Sequence, residues 1–205
     1  MATYIDSATG VLTEGDPWVL ISSTTLSSTT SEVTFTSGTG STDYKNNWSQ
    51  YADLILLMQV RSDRSAQNDF LRYEFENKAS AYWIHATYTL GTYIDAGKWV
   101  GAHGECGRIT GGSAAANEWG FVRMEISDIN SGKYKTVYSR YSQAQASEPG
   151  TGVYGCTWAD TSDGMLSVEA ISRIDIFLEH GDFVSTSRFD LIGVLPRMIE
   201  NTAVG

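Results

Sequence analysis

The chain predicts an all-β fold, an antiparallel β-sandwich of jelly-roll-like character with irregular N- and C-terminal arms. Three observations carry this. Several segments alternate apolar and polar residues with a period of two, the mark of strands with one face on a core and one in water. Eleven Tyr and six Trp enrich the chain in residues that suit pleated surfaces. Twenty Gly against three Pro supply turns, and no segment of helical length carries a 3.6-residue stripe. The length of 205 residues suits one domain with a sizeable core.

Taken in order, the first strand is PWVLIS (Pro17 to Ser22). A Ser/Thr stretch, Ser22 to Ser31, then reads as a loop or exposed edge before EVTFT (Glu32 to Thr36). Tyr44 to Ala52 suits a short helical turn. DLILLMQVR (Asp53 to Arg61) is apolar at consecutive positions, which predicts a central strand. In FLRYEFE, Leu71, Tyr73 and Phe75 share one face, with Arg72, Glu74 and Glu76 on the other. YWIHATY (Tyr82 to Tyr88) reads as a further strand. In FVRMEIS, Val122, Met124 and Ile126 point inward. KYKTVYSRY (Lys133 to Tyr141), SRIDIFLE with Ile174, Ile176 and Leu178 inward, and RFDLIGVL (Arg188 to Leu195) complete the set. NSG (Asn130 to Gly132), EPGTG (Glu148 to Gly152) and DTSDG (Asp160 to Gly164) read as turns. The expected division is an arm over 1–16, a sandwich over 17–195 and a tail over 196–205.

Charge narrows the function. A net charge of −10 offers no positive face to displace counterions from nucleic acid or to seek anionic lipid. No stretch approaches the length of a membrane span. The first residues, MATYIDSATGVLTEGDPW, show no basic region followed by an apolar one, so no secretion signal is visible. In that setting the two cysteines, Cys106 and Cys156, are expected as reduced thiols.

One stretch invites a catalytic reading. GAHGECGRITGG (Gly101 to Gly112) packs His103, Glu105, Cys106 and Arg108 among glycines. Zinc deaminases use His-x-Glu, but they also need a paired Cys-x-x-Cys, and Cys156 stands in YGCTW without one. A Cys–His nucleophile needs a held geometry that adjacent letters do not show. The stretch is therefore read as a connecting loop, and no catalytic, cofactor or metal residue is assigned. DTSDG lacks the alternating acids of a calcium loop. His85 and His180 have no visible metal partner. RSDRSAQND, with Arg61, Asp63, Arg64 and Asp69, is either a carboxylate-binding interface loop or a connection whose charges pair locally. Trp48, Trp83, Trp99, Trp119 and Trp158 are candidates for stacking on sugars, or else core anchors.

Four blocks resemble a family of tailed-phage virion proteins, and together they cover most of the chain. They are PWVLISSTTLSSTTSEVTFTSG (Pro17 to Gly38), YADLILLMQVRSDRSAQNDFLRYEFEN (Tyr51 to Asn77), FVRMEISDINSGKYKTVYSRY (Phe121 to Tyr141) and ISRIDIFLEHGDFVSTSRFDLIGV (Ile171 to Val194). In the last block Thr186 and Ile192 stand where that family carries Gly and Tyr. The resemblance implies a non-enzymatic β-sandwich on a virus particle, made in the host bacterial cytoplasm. The chain has no heptads and no collagen-like repeat, which suits a capsid decoration or cement protein on the outer shell better than a fibre. The expected partners are the major capsid protein and other copies in a homotrimer, with no cofactor, nucleic acid or membrane. The expected anchors are Tyr4, Ile5, Val11 and Leu12 in the N-terminal arm, Arg61, Asp63 and Arg64, and Leu195, Met198 and Ile199 near the C-terminus. A tail-associated module that recognises host glycans is the alternative, and a glycan-active enzyme with two facing carboxylates the third.

Overall fold

The structure is a computed structural model that describes residues 4–5, 12–13, 18–38, 44–79, 81–144, 149–159 and 169–196. Its strands in chain order are β1 (Tyr4–Ile5), β2 (Leu12–Thr13), β3 (Trp18–Thr25), β4 (Glu32–Thr36), β5 (Asp53–Val60), β6 (Asn68–Phe75), β7 (Ala81–Leu90), β8 (Tyr93–Gly101), β9 (Gly104–Thr110), β10 (Gly120–Ser127), β11 (Lys135–Gln143), β12 (Gly150–Ala159), β13 (Arg173–Leu178) and β14 (Arg188–Val194). Two short 3-10 turns, Tyr44–Asn46 and Trp48–Gln50, lead into β5. β1 pairs with β2 alone.

The remaining strands form two antiparallel sheets. The larger has eight strands in the order β3-β14-β5-β10-β11-β12-β7-β8; the smaller has four, β4-β13-β6-β9. This is the all-β sandwich that the alternation predicts. Its core follows from that alternation. Leu54, Leu56, Met58 and Val60 of β5 and Val122, Met124 and Ile126 of β10 are fully shielded beneath Leu71, Tyr73 and Phe75 of β6 and Ile174 and Ile176 of β13. Each such side chain stabilises the fold by roughly 1.5–3 kcal/mol. β5 lies between β14 and β10 as its apolar run predicts. The Ser/Thr run forms the end of β3, an edge strand of the large sheet, and the turn after it.

Unequal sheets leave an overhang. β9, the last strand of the small sheet, packs across β10, β11 and β12. β7 and β8 continue the large sheet beyond it. Tyr82, Ile84 and Ala86 of β7 are buried, whereas Tyr88 of β7 and Asp95, Gly97 and Trp99 of β8 are only half-buried.

Three segments differ from the sequence reading. GAHGECGRITGG contains strand β9 and is no loop. A ten-residue strand, β12, begins at Gly150, inside the expected EPGTG turn. The nine residues of β8 had no clear alternation. The cause is shared: glycines stand at inward positions where an apolar side chain would show the period. A Cβ on Gly104 would collide with the Tyr73 ring, and one on Gly107 with the Tyr141 ring. Gly107 also holds φ +132°, a conformation L side chains rarely adopt. Those strands alternate glycine against aromatic ring, a pattern invisible one chain segment at a time.

Candidate functional site: surfaces and clusters of the sandwich

The residues of RSDRSAQND are spent on the fold. Arg61 is buried at 8% exposure. Its guanidinium donates to the carbonyls of Ala115 (2.6 Å), Ala114 (2.7 Å), Gly112 (3.3 Å) and Glu118 (3.5 Å). Asp63 accepts from the Asp182 amide at 2.8 Å. Asp69 is buried and accepts from Ser62 Oγ (2.9 Å) and the Gly181 amide (3.0 Å), with Arg64 Nη1 at 3.5 Å. Together these groups lock the 61–68, 111–118 and 179–183 connections into one cap. These charges pair within the chain, while Asp63, Ser65 and Gln67 stay exposed. Leu195 is buried at 8%. Tyr4, Ile5 and Leu12 lie in the paired two-residue strands β1 and β2. Val11, Met198 and Ile199 lie outside the described residues.

The letters that suggested thiol chemistry do not converge. Cys106 points inward, fully buried, with Sγ at 3.4 Å from Met124 Sδ. His103 turns the other way, its Nδ1 against a Glu74 carboxylate oxygen and its ring edge-on to Phe177 at 5.2 Å. Burial holds the Cys106 thiol well above its ordinary pKa and pushes Cys156 up to about 12. Neither supplies thiolate near neutrality. Both cysteines are free. Among the described residues no group of three or more His, Cys, Asp or Glu side chains is placed to hold a metal. Among those residues, too, no helix is long and apolar enough to cross a membrane.

The outer face of the small sheet is a charge ladder. Arg72 Nη2 lies between Glu179 Oε1 (2.7 Å) and Glu105 Oε1 (3.5 Å). Burial raises the Glu105 pKa, against the opposing pull of Arg72. Asp175, shielded from solvent, receives Thr34 Oγ1 (2.7 Å) and Arg173 Nε (2.8 Å). The two glutamates do approach each other, but through a shared arginine on an outer sheet face. A hydrolytic carboxylate pair instead flanks its bond across a cleft.

The outer face of the large sheet is different. Strand register aligns Leu20, Ile192 and Ile55 in one row and Trp18 with Val194 in the next. Leu20 (53%), Trp18 (50%) and Phe121 (48%) are well exposed. Beside Phe121 lies a hollow of about 170 Å³ lined by Leu57, Gln59, Arg188 and Asp190. Arg123, which also pairs with Glu125, stands 5.5 Å from the Trp18 ring. At the far end, Val100 (61%) and Ile94 (74%) of β8 point to the same side.

On the inner face, the overhang carries a polar–aromatic shelf. Register places Tyr88 opposite Asp95, and Tyr88 Oη donates to Asp95 Oδ2 at 3.0 Å. Trp99 stands edge-on to Tyr154 at 6.2 Å, and Tyr154 meets Tyr141 at 5.9 Å. Arg108, from β9, lies over the Phe70 ring at 4.4 Å and the Tyr88 ring at 5.2 Å. Burial raises the pKa of Tyr88, Tyr154 and Tyr141, the last to about 12. Of the tryptophans read as sugar-stacking candidates, Trp48 and Trp158 are core. Trp99 belongs to this shelf. Tyr88, Tyr154 and Arg108 were not assigned as site residues: Tyr88 reads only as part of a strand, Tyr154 lies in β12, which the sequence does not reveal, and Arg108 lies in a stretch read as a loop.

The fold and these surfaces define a class, an antiparallel β-sandwich whose larger sheet exposes apolar side chains on its outer face. No protein-family model, curated protein or solved structure matches the chain.

Proposed function

We propose that this chain is a non-enzymatic structural protein of a tailed-phage particle, a jelly-roll-like decoration protein that binds the outside of the assembled head. The observation that carries an adhesive role is the set of exposed apolar side chains on the outer face of the large sheet: Trp18 and Leu20 at its β3 edge, and Phe121 on β10 beyond the Arg123–Glu125 and Arg188–Asp190 pairs. Exposed aromatic and aliphatic side chains interspersed with polar groups are what a protein partner buries. Placement on a virion rests on the four sequence blocks that resemble that family. Trimers, and the terminal arms as further clamps on coat subunits, belong to the same proposal. Binding of many copies to the assembled shell stabilises that state by mass action.

The test uses particles stripped of this protein and re-exposed to the purified chain. Leu20→Asp combined with Phe121→Asp is expected to abolish binding while leaving the melting temperature close to wild type, since both side chains are about half exposed. Full binding by that variant contradicts the role of this face. A tail location would instead show as binding to tails and not to shells.

A further inference from the structure

We propose that the shelf between the free edge of β9 and the β7–β8 overhang is a binding site for a neutral saccharide, with Trp99 and Tyr88 as the stacking floor and Arg108 as the hydroxyl-directed donor. The inference stands apart from the virion reading and does not need it.

Unspent hydrogen-bonding capacity is the first support. The hydroxyls of Tyr141 and Tyr154, residues only 2% and 1% exposed, have no hydrogen-bond partner among the described residues. Arg108 Nε lacks one too. Buried polar groups are nearly always paired, because each orphan costs about 1–3 kcal/mol. These three atoms belong to one neighbourhood. The Tyr141 and Tyr154 rings lie 5.9 Å apart, a Cβ on Gly152 would meet both Tyr141 and Tyr88, and the Arg108 guanidinium lies 5.2 Å from the Tyr88 ring. Two groups that donate and accept, beside one that only donates, suit hydroxyl oxygens.

Access and shape are the second support. In front of the buried tyrosines stand Tyr88, Trp99, Asp95 and Arg108, all partly exposed. Gly97 and Gly152 keep the floor low: a Cβ on Gly97 would meet the Trp99 ring, and one on Gly152 the Tyr141 and Tyr88 side chains. Flat aromatic faces exposed beside a few convergent polar groups are the usual make-up of a small-molecule site. The C–H face of a pyranose is the ligand surface that matches such rings while its rim hydroxyls reach polar groups.

Charge selects a neutral sugar. Asp95 stands on the shelf beside Tyr88. A ligand carboxylate or phosphate would meet this acid and the chain's net charge of −10. The single Arg108 is already engaged with Asn68 Oδ1 at 3.4 Å and two rings.

The experiment titrates the full chain with maltose, cellobiose and N,N′-diacetylchitobiose, with glucuronic acid as the anionic control, and reads tryptophan fluorescence and calorimetry. At least one neutral disaccharide is expected to bind saturably and glucuronic acid more weakly. Trp99→Leu and Tyr88→Leu should each weaken binding about tenfold, the loss of a ring contact, with the fold retained. If either side chain proves essential to folding, Arg108→Gln supplies the second variant and should weaken binding similarly. No saturable binding to any of the three disaccharides, binding indifferent to all these variants, or a preference for glucuronic acid each overturns the proposal. Shell binding by the outer sheet face is unaffected by any of these outcomes, so the two readings fail separately.

Discussion

Glu105 shows how one buried side chain can cost the fold it belongs to. Burial raises its pKa more than Arg72 lowers it. A carboxyl whose folded-state pKa exceeds the unfolded value contributes stability that is full below the unfolded value. That contribution is lost as pH rises through the folded-state value. Glu105→Gln stays neutral throughout, and Arg72 keeps Glu179 at 2.7 Å. The variant should therefore gain stability relative to wild type as pH rises from about 4 to about 7. Urea midpoints at the two pH values check this; a variant that loses ground with rising pH contradicts it. At the same scale, Gly104 and Gly107 show why His103 and Cys106 never meet. A strand squeezed against the Tyr73 and Tyr141 rings must alternate its faces, which sends the imidazole out and the thiol in.

Among the elements, the cap of connections at one end of the sandwich hangs on Arg61. Its guanidinium donates to the carbonyls of Gly112 and Ala114, and to that of Ala115, which also accepts from the Glu118 amide. Arg61→Ala removes these donors and the packing of a buried side chain, and should destabilise the protein by about 1–3 kcal/mol. Hydrogen exchange should rise first across residues 111–118. Unchanged exchange there would mean the loop is held by other contacts. The element scale also shows what was legible. β5, β6, β10, β13 and β14 are readable from alternation or apolar runs, because each packs large side chains on one core. β8, β9 and β12 are not, because their inward positions hold glycines that make room for rings on other strands. The charges of RSDRSAQND were visible, but not their partners, which lie about 50 and 120 residues further along the chain. The shelf was illegible for the same reason: Tyr88, Trp99, Arg108, Tyr141 and Tyr154 sit on five different strands.

For the whole molecule, the two sheets divide the work. The small sheet spends its outward charges on itself, in the Arg72, Arg173 and His103 pairs. The large sheet leaves its apolar outer side chains uncovered and extends an overhang past its partner. With a net charge of −10, the proposed binding rests on apolar and shape matching rather than on long-range attraction to polyanions. The proposed adhesive account is tested most directly by counting this chain, relative to the major coat protein, in purified particles of the phage proposed to carry it. A copy number in fixed proportion to the coat protein, released together with the outer surface layer, is the result the account predicts. A handful of copies confined to the tail, or absence from the particle, would contradict it.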